Sequence, residues 1–472
     1  MYGKSTLSAI LALTPAVIAA PAPQVSYYSA SGMPVTATAP PPPDVSVNNG
    51  PTSHGPYSGT PTTTGAVSTV VLAPSIPALP PNPVELQYVP NGLLHAPEPA
   101  PYTPQGGLGT NGTEPVYLVQ SDFDFESIAL GLYQEWIELD LFHNGLATFS
   151  EEEFEAAGLT AEDRYLIQFM AEQEVGHATL LTNLLGVEAA PVQCTYNYPF
   201  TTVREFIDFC QKLTRFGESG VYGFLNHLNS REVGQLLLQS ISTEARQQMI
   251  FRQFDGLFPM PVWFETGIPQ SWAWTLLAPY ISSCPANQTR LAWQNFPALT
   301  ILSQPNAARI NANRTGFGET VGNTSAAPLN EKVVPAADTC ANSTVVGQDC
   351  SPAITRNRTD PLSFAGRQVF FSWENPGKAI GPNNSYITAT SAGAPAFVAW
   401  VTQLNLTYSA LTLTGANAGY TFQPNTSTYA GDPATNGTMF VALTDSDLFL
   451  TPFNLSMINP HVVAGPALYQ AG

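Results

Sequence analysis

The sequence predicts a multidomain chain: a disordered N-terminal stalk, an all-α four-helix bundle, and a small all-β, sandwich-like C-terminal region. Three observations predict it. Residues 118–285 hold 22 of the 35 acidic residues and carry apolar positions at helical spacing between recognisable caps. From about Phe364 the pattern changes to short β-branched and aromatic runs separated by Gly, Pro and Asn. Before about residue 115, Pro, Ser, Thr, Gly and Ala dominate, and such a segment buries too little apolar surface to offset the entropy of ordering.

Residues 1–20 read as a secretory signal peptide. Lys4 gives a positive start, Leu7 to Ile18 form an apolar run, and Ala19 and Ala20 offer small residues for cleavage. The run is too short to span a bilayer of about 30 Å. Residues 21–115 form the stalk, with runs such as Pro40-Pro41-Pro42-Pro43.

The helical region is placed at 116–285. Ser121 caps a helix running to about Leu146, and a short helix fills Ser150 to Ala157. Thr160 with Asp163 makes a capping box for a second long helix that stops at Gly186. Thr202 opens a third, to about Leu228, and Ser230 a fourth, closed by Gly256. Pro269 begins a further short helix through Trp272 and Trp274. Residues 286–360 are rich in Asn and Thr and read as a linker. In the β-rich region, 361–472, strands are expected at Gln368 to Trp373, Phe397 to Val401, Leu404 to Tyr408 and Met439 to Thr444.

Charged residues make up 11% of the chain, against roughly 25% in a typical soluble domain. The net charge of −19 repels phosphate backbones and anionic lipid, so nucleic acid is not a partner. No later stretch is apolar and long enough for a membrane span. Asn-x-Ser/Thr triplets begin at Asn111, Asn287, Asn313, Asn323, Asn342, Asn357, Asn383, Asn405, Asn425, Asn436 and Asn454. None begins between Gly112 and Ala286. N-linked sugars would supply the solubility that ionised groups do not, and a secreted, extracellular or wall-associated protein is expected, with cell-wall polysaccharide a candidate partner. The sequence fixes no oligomeric state.

Five cysteines are too few for a disulfide scaffold and contain no Cys-x-x-Cys pair. Cys194 and Cys284 flank the third and fourth helices and are candidates for one bridge, as are Cys340 and Cys350 for a small loop. Cys210 is then a buried thiol. The aromatic group Trp263, Phe264, Trp272 and Trp274 is expected in the core, and His143 and His227 at helix ends.

The chemistry lies inside the bundle. The second helix has an apolar seam, Ile167, Met170, Glu174, His177, Leu181, Leu184, interrupted at its centre by two polar residues that share one face. The fourth repeats it with Val233, Leu237, Ser240, Glu244, Gln247 and Phe251. The first offers Ile128, Leu132, Glu135 and Phe142, with Glu138 one turn on, and the third places Glu218 between Thr214 and Val221. From each cap the four acids lie 14, 14, 16 and 14 residues along: Ser121 to Glu135, Thr160 to Glu174, Thr202 to Glu218 and Ser230 to Glu244. At 1.5 Å per residue that is roughly 21–24 Å, near the middle of each helix. Antiparallel helices bring their midpoints to one level, so these acids and one imidazole are expected to meet.

Buried carboxylates each cost several kcal/mol unless compensated, and metal cations are the usual remedy. Two Glu plus two Glu-x-x-His runs make the di-metal site of ferritin-like bundles. Glu174-Val-Gly-His177 fits one half-site, whereas Glu244-Ala-Arg-Gln247 has an amide in place of the second imidazole, so that metal position is expected to be weaker or empty. Iron or manganese suits the donor set. The alternative is a metal-free polar core, with Glu218 paired to Arg215 or Arg246 turned inward.

The runs Gln134-Glu-Trp-Ile-Glu-Leu-Asp-Leu-Phe, Glu172-Gln-Glu-Val-Gly-His, Glu218-Ser-Gly-Val and Thr243-Glu-Ala-Arg-Gln resemble the secreted ferritin-like family of fungal stress-response and late-sexual-development proteins, related to plant desiccation-related proteins. The tail from Phe371-Ser-Trp-Glu-Asn-Pro-Gly-Lys to Tyr469-Gln-Ala-Gly resembles the fungal branch. The resemblance implies a ferritin-like bundle, a link to stress or development, and no established enzymatic activity. It places Glu135, Glu174, His177, Glu218 and Glu244 on ligand positions; with metal bound, Glu174 and Glu244 are expected to bridge, Glu135 and Glu218 to terminate, and His177 to complete one position. The expectation is a secreted ferritin-like protein binding one or two metal ions. The competing readings are a structural wall or spore-surface glycoprotein and carbohydrate binding by the C-terminal region.

Overall fold

The computed structural model describes residues 119–305, apart from Val187, Asn287 and Thr289, and residues 352–472, apart from Thr355 and Asp360. It also describes the backbone of two short strands, β1 (Gln24–Tyr28) and β2 (Pro34–Thr38). The expected signal peptide, Cys340, Cys350 and the triplets at Asn111, Asn287, Asn313, Asn323 and Asn342 lie outside the described residues, as does the side chain of Asn357. β1 and β2 pair antiparallel inside the stretch read as disordered. Val25, Tyr27, Val35 and Thr36 are β-prone residues that the overall Pro and Ser content masks.

Six helices follow: α1 (Asp122–Thr148), α2 (Glu151–Ala156), α3 (Ala161–Leu185), α4 (Val203–Leu225), α5 (Arg231–Phe254) and α6 (Gln270–Leu277). The first five starts have a side-chain cap. The hydroxyls of Ser121 and Ser230 accept the backbone N–H of Asp124 and Val233, and Ser150, Thr160 and Thr202 form reciprocal capping boxes with Glu153, Asp163 and Glu205. Such a cap is worth about 1 kcal/mol. Gly186, at φ 82°, ends α3.

α1 packs against α3, α4 and α6, and α4 against α5. α1 is consequently buried on nearly every side, including Gln134, Glu135, Glu138 and Asp140. Its seam of Ile128, Leu132 and Phe142 is fully enclosed. α4 approaches the chain after α5 so closely that a Cβ on Gly223 would meet the Ile268 carbonyl oxygen at 1.8 Å. The long α3–α4 connection is pinned to the segment after α6. β3 (Thr195–Tyr196) pairs with β4 (Ile281–Ser283), and Cys194 and Cys284 form a disulfide beside them. Cys210 is a buried free thiol.

The stretch expected as a linker is partly built into the fold. Leu291, Trp293 and Phe296 are buried, and β5 (Leu299–Ile301) joins a sheet. Its apolar residues lie too far apart to read as periodic, and tertiary packing supplies what local pattern does not.

The C-terminal strands are β6 (Gln368–Trp373), β7 (Ala379–Ile380), β8 (Tyr386–Ile387), β9 (Phe397–Thr402), β10 (Asn405–Ala410), β11 (Thr412–Gly415), β12 (Ala418–Phe422), β13 (Thr438–Thr444) and β14 (Val462–Gln470). Two antiparallel sheets result, in the orders β10-β9-β13-β14 and β11-β12-β6-β5. Val398, Trp400, Met439, Val441 and Leu443 point into the space between the sheets, toward Val369, Phe371 and Ile301. The alternate residues Ala399, Val401, Phe440 and Ala442 belong to the helical core. The first sheet is therefore a middle layer with both faces covered, and the sandwich is fused to the bundle.

Trp272 and Trp274 are fully buried, as expected, but Trp263 and Phe264 are exposed at 53% and 38%. They lie on an irregular segment between α5 and α6, where no helical seam turns them inward. Their backbone N–H groups both donate to Gln403 Oε1, and the Phe264 ring meets Tyr429 edge to face. The described residues contain no helix long and apolar enough to cross a membrane.

Candidate metal centre

Three helices bring the central acids together. α1 supplies Glu135 and Glu138, α3 supplies Glu174 and His177, and α5 supplies Glu244 and Gln247, all of them buried. His177 Nδ1 lies 3.0 Å from Glu174 Oε2, 3.3 Å from Glu135 Oε2 and 3.6 Å from Glu244 Oε1. One ring nitrogen thus faces three carboxylates from three helices. A single N–H serves one acceptor well, and Glu174 is the nearest. Glu135 Oε2, Glu244 Oε1 and Glu138 Oε2 are left buried with no hydrogen-bond donor.

The other side of the ring is fixed. Thr243 Oγ1 lies 2.9 Å from His177 Nε2 and 2.7 Å from the Ser240 carbonyl oxygen. The carbonyl can only accept, so the hydroxyl proton goes to Ser240 and Nε2–H donates to Thr243. With Nε2–H committed to Thr243, loss of the Nδ1 proton to an arriving cation leaves the lone pair on Nδ1, among the carboxylates, which is the tautomer a metal ligand requires.

Gln247 Nε2 donates to Glu174 Oε1 at 2.5 Å and to Gln173 Oε1 at 3.2 Å. On α1, Gln134 Nε2 donates to Glu138 Oε1 at 2.8 Å. Glu218 is separate from this group. It is buried on α4 beside Arg215, whose Nη1 lies 3.5 Å from its Oε2 and also pairs with Glu265. Arg246 points to solvent. The cations in contact with these acids are therefore His177 and, beside Glu218, Arg215.

Electrostatics follow burial. Burial raises Glu135 to about 8, against the opposing pull of His177. Burial and then the charges of Glu174 and Glu135 push Glu138 well above the usual carboxylate range, and Glu244 is raised by burial, Glu135 and Glu138. Burial pulls the His177 imidazole down, but Glu174 and Glu135 outweigh it and raise the group. Glu218 is raised by burial to about 8, with Arg215 opposing. The cluster therefore holds protons where it lacks other cations.

The donor set fits a metal. Ligand atoms of Glu135, Glu174 and His177 lie within 4.8 Å of one another, and the unserved oxygens of Glu135 and Glu244 face the same nitrogen. Carboxylate oxygens with one imidazole suit iron or manganese. Among the described residues, neither His143 nor His227 joins a metal-ligating group.

Sequence reasoning did not assign a role to Thr243 or Gln173, and left Glu138 outside the ligand set. Thr243 stands four residues before Gln247 and Glu138 three after Glu135, so helical spacing places each on the inward face.

A family model described as a ferritin-like domain matches residues 121–256, from the cap of α1 to the end of α5. The chain is 51% identical over 376 residues to Protein rds1 of Schizosaccharomyces pombe, covering 79% of this chain and 87% of that protein. The chain belongs to this ferritin-like family. The aligned length exceeds the helical domain by far, so the family likeness extends into the fused β-rich region. Within the ferritin-like frame, Glu174-x-x-His177 on α3 and Glu244-x-x-Gln247 on α5 are the two corresponding halves, and they differ in the fourth residue.

Proposed function

We propose that the protein is a secreted, ferritin-like metal-binding protein that holds iron or manganese in the bundle core and serves stress protection or development at the cell surface. The observation that carries the metal is His177 Nδ1 facing Glu135, Glu174 and Glu244 within 3.6 Å, with the facing oxygens of Glu135 and Glu244 lacking a donor. In this reading His177 and Glu174 hold the ion from α3, Glu135 from α1 and Glu244 from α5, while Thr243 keeps the ring in register. A bound ion would supply Lewis acidity and, if it is iron, one-electron redox chemistry. The chain's own part is to hold that ion in a water-poor core and to shed carboxyl protons as it arrives.

Secretion is supported by the apolar run at Leu7 to Ile18, by the Asn-x-Ser/Thr triplets, and by the Cys194–Cys284 disulfide, since such bonds persist in oxidising compartments. Of the triplets on described surface, Asn425 is exposed, whereas the Asn383 amide is engaged with the Cys284 backbone. The role in stress or development rests on the family resemblance.

One observation favours the competing scaffold reading: a protonated His177 donating to Glu174 supplies counter-charge without any metal. Metal analysis of the protein purified from its secreting host separates the two. Iron or manganese well above the level of the Glu174→Ala variant supports the proposal; equal, trace metal in both leaves the scaffold.

A further inference from the structure

We infer that the bundle holds one cation per chain, and that two of its own side chains, Gln247 and Arg215, fill the place where a ferritin-like bundle would hold a second. The inference rests on the metal-binding reading above and narrows it. A bridged pair of ions needs both oxygens of its bridging carboxylates and a ligand set on each side. Neither condition is met.

The first obstacle is at Glu174. Its Oε2 faces His177, and its Oε1 receives the Gln247 amide at 2.5 Å. The same nitrogen also donates to Gln173 Oε1, and a carboxylate can only accept, so the amide presents its nitrogen to Glu174. Where the α3 half-site presents an imidazole lone pair, the α5 half-site presents a hydrogen-bond donor. A donor engages one of the two lone pairs of the carboxylate oxygen that would otherwise reach a second ion, and stands where a ligand is needed.

The second obstacle is on α4. Glu218 is the mid-helix acid that would complete the far side, but the buried Arg215 guanidinium stands beside it and is also held by Glu265. A guanidinium does not lose its proton in a protein, so it is a fixed positive charge in the interior. Glu218 has its Oε2 paired within the chain, and it does not join the ligand-spaced group of Glu135, Glu174 and His177, although its Oε1 is buried without a partner. The facing oxygens of Glu135 and Glu244 lie 3.3 and 3.6 Å from the same His177 Nδ1.

The test is a titration of metal-free, full-length protein with Mn(II), read by metal analysis after gel filtration and by the EPR spectrum of the bound ion. One equivalent per chain, with no spin-coupled signal, is expected. Two equivalents or a coupled spectrum overturns the inference and leaves metal binding intact, whereas no bound manganese or iron sinks both. Gln247→His frees Glu174 Oε1 and supplies the missing imidazole, so a second, weaker equivalent is expected. Adding Arg215→Gln frees Glu218 and should tighten that second equivalent at least ten-fold. Should the double variant fail to fold, Gln247→His still decides, because a folded single variant that stays at one equivalent contradicts the role given to the amide.

Discussion

Thr243 and His177 are joined so that the threonine hydroxyl, committed to the Ser240 carbonyl, can only accept from His177 Nε2. This contact across α5 and α3 sets which ring nitrogen faces the acids. It predicts that Thr243→Val lowers metal affinity by about 10–100-fold, the usual cost of losing an outer-shell partner, with little change in unfolding midpoint. Thr243→Ser should restore affinity. Isothermal titration with Mn(II) checks both, and a Thr243→Val protein that binds like wild type contradicts the role.

The raised carboxyls predict a pH dependence of metal binding. Glu135, raised to about 8, holds its proton below that pH, Glu138 and Glu244 are raised well above the usual carboxylate range, His177 is raised by its acid neighbours, and a cation must displace these protons. Affinity should therefore climb from pH 6 through pH 8. Titrations in buffers of different ionisation enthalpy should show protons released on binding. Affinity that falls as pH rises would contradict this.

How much of this was legible beforehand follows from periodicity. Glu174, His177, Glu135 and Glu244 stand on apolar seams at a common distance from their caps, and helix geometry converts that count into a shared level. Glu218, at 16 residues from its cap, also falls near mid-helix, but a side chain's partner is a tertiary fact: Arg215 is three residues away on the same helix, and Glu265 comes from a loop no local pattern places. The strand at Leu299–Ile301 and the fused middle sheet were illegible for the same reason, since a three-residue strand has no period of its own. Trp263 and Phe264 show the converse error, apolar rings assigned to a core by type when only their neighbours decide.

Asp140 supplies a second pH test, on stability. Burial raises it from 3.8 to about 6, and Tyr198 donates to its Oδ2 at 2.7 Å. A carboxyl with a raised folded pKa binds its proton more tightly when folded, so its contribution is present below about pH 4 and lost as pH rises through 6, worth up to about 3 kcal/mol. Asp140→Asn keeps an acceptor for Tyr198 without the buried charge. It should be more stable than wild type by about 2 kcal/mol at pH 7.5, the gap closing by pH 4. A pH-independent difference in urea unfolding would refute the assignment.

The Cys194–Cys284 bridge closes a loop across 90 residues that spans α4, α5 and α6. A loop of that length predicts a loss of up to about 4 kcal/mol on replacing both cysteines by alanine. Denaturant unfolding measures it, and an unchanged midpoint would show that the β3–β4 pairing holds the connection unaided.

The central claim is that a cation belongs between His177 Nδ1 and the carboxylates of Glu135, Glu174 and Glu244. Anomalous diffraction from crystals grown with Mn(II) tests it most directly. The account predicts one strong anomalous peak there, in contact with Nδ1 and oxygens from α1, α3 and α5. A clean map at that position, with His177 in direct contact with Glu174 at saturating manganese, would contradict it.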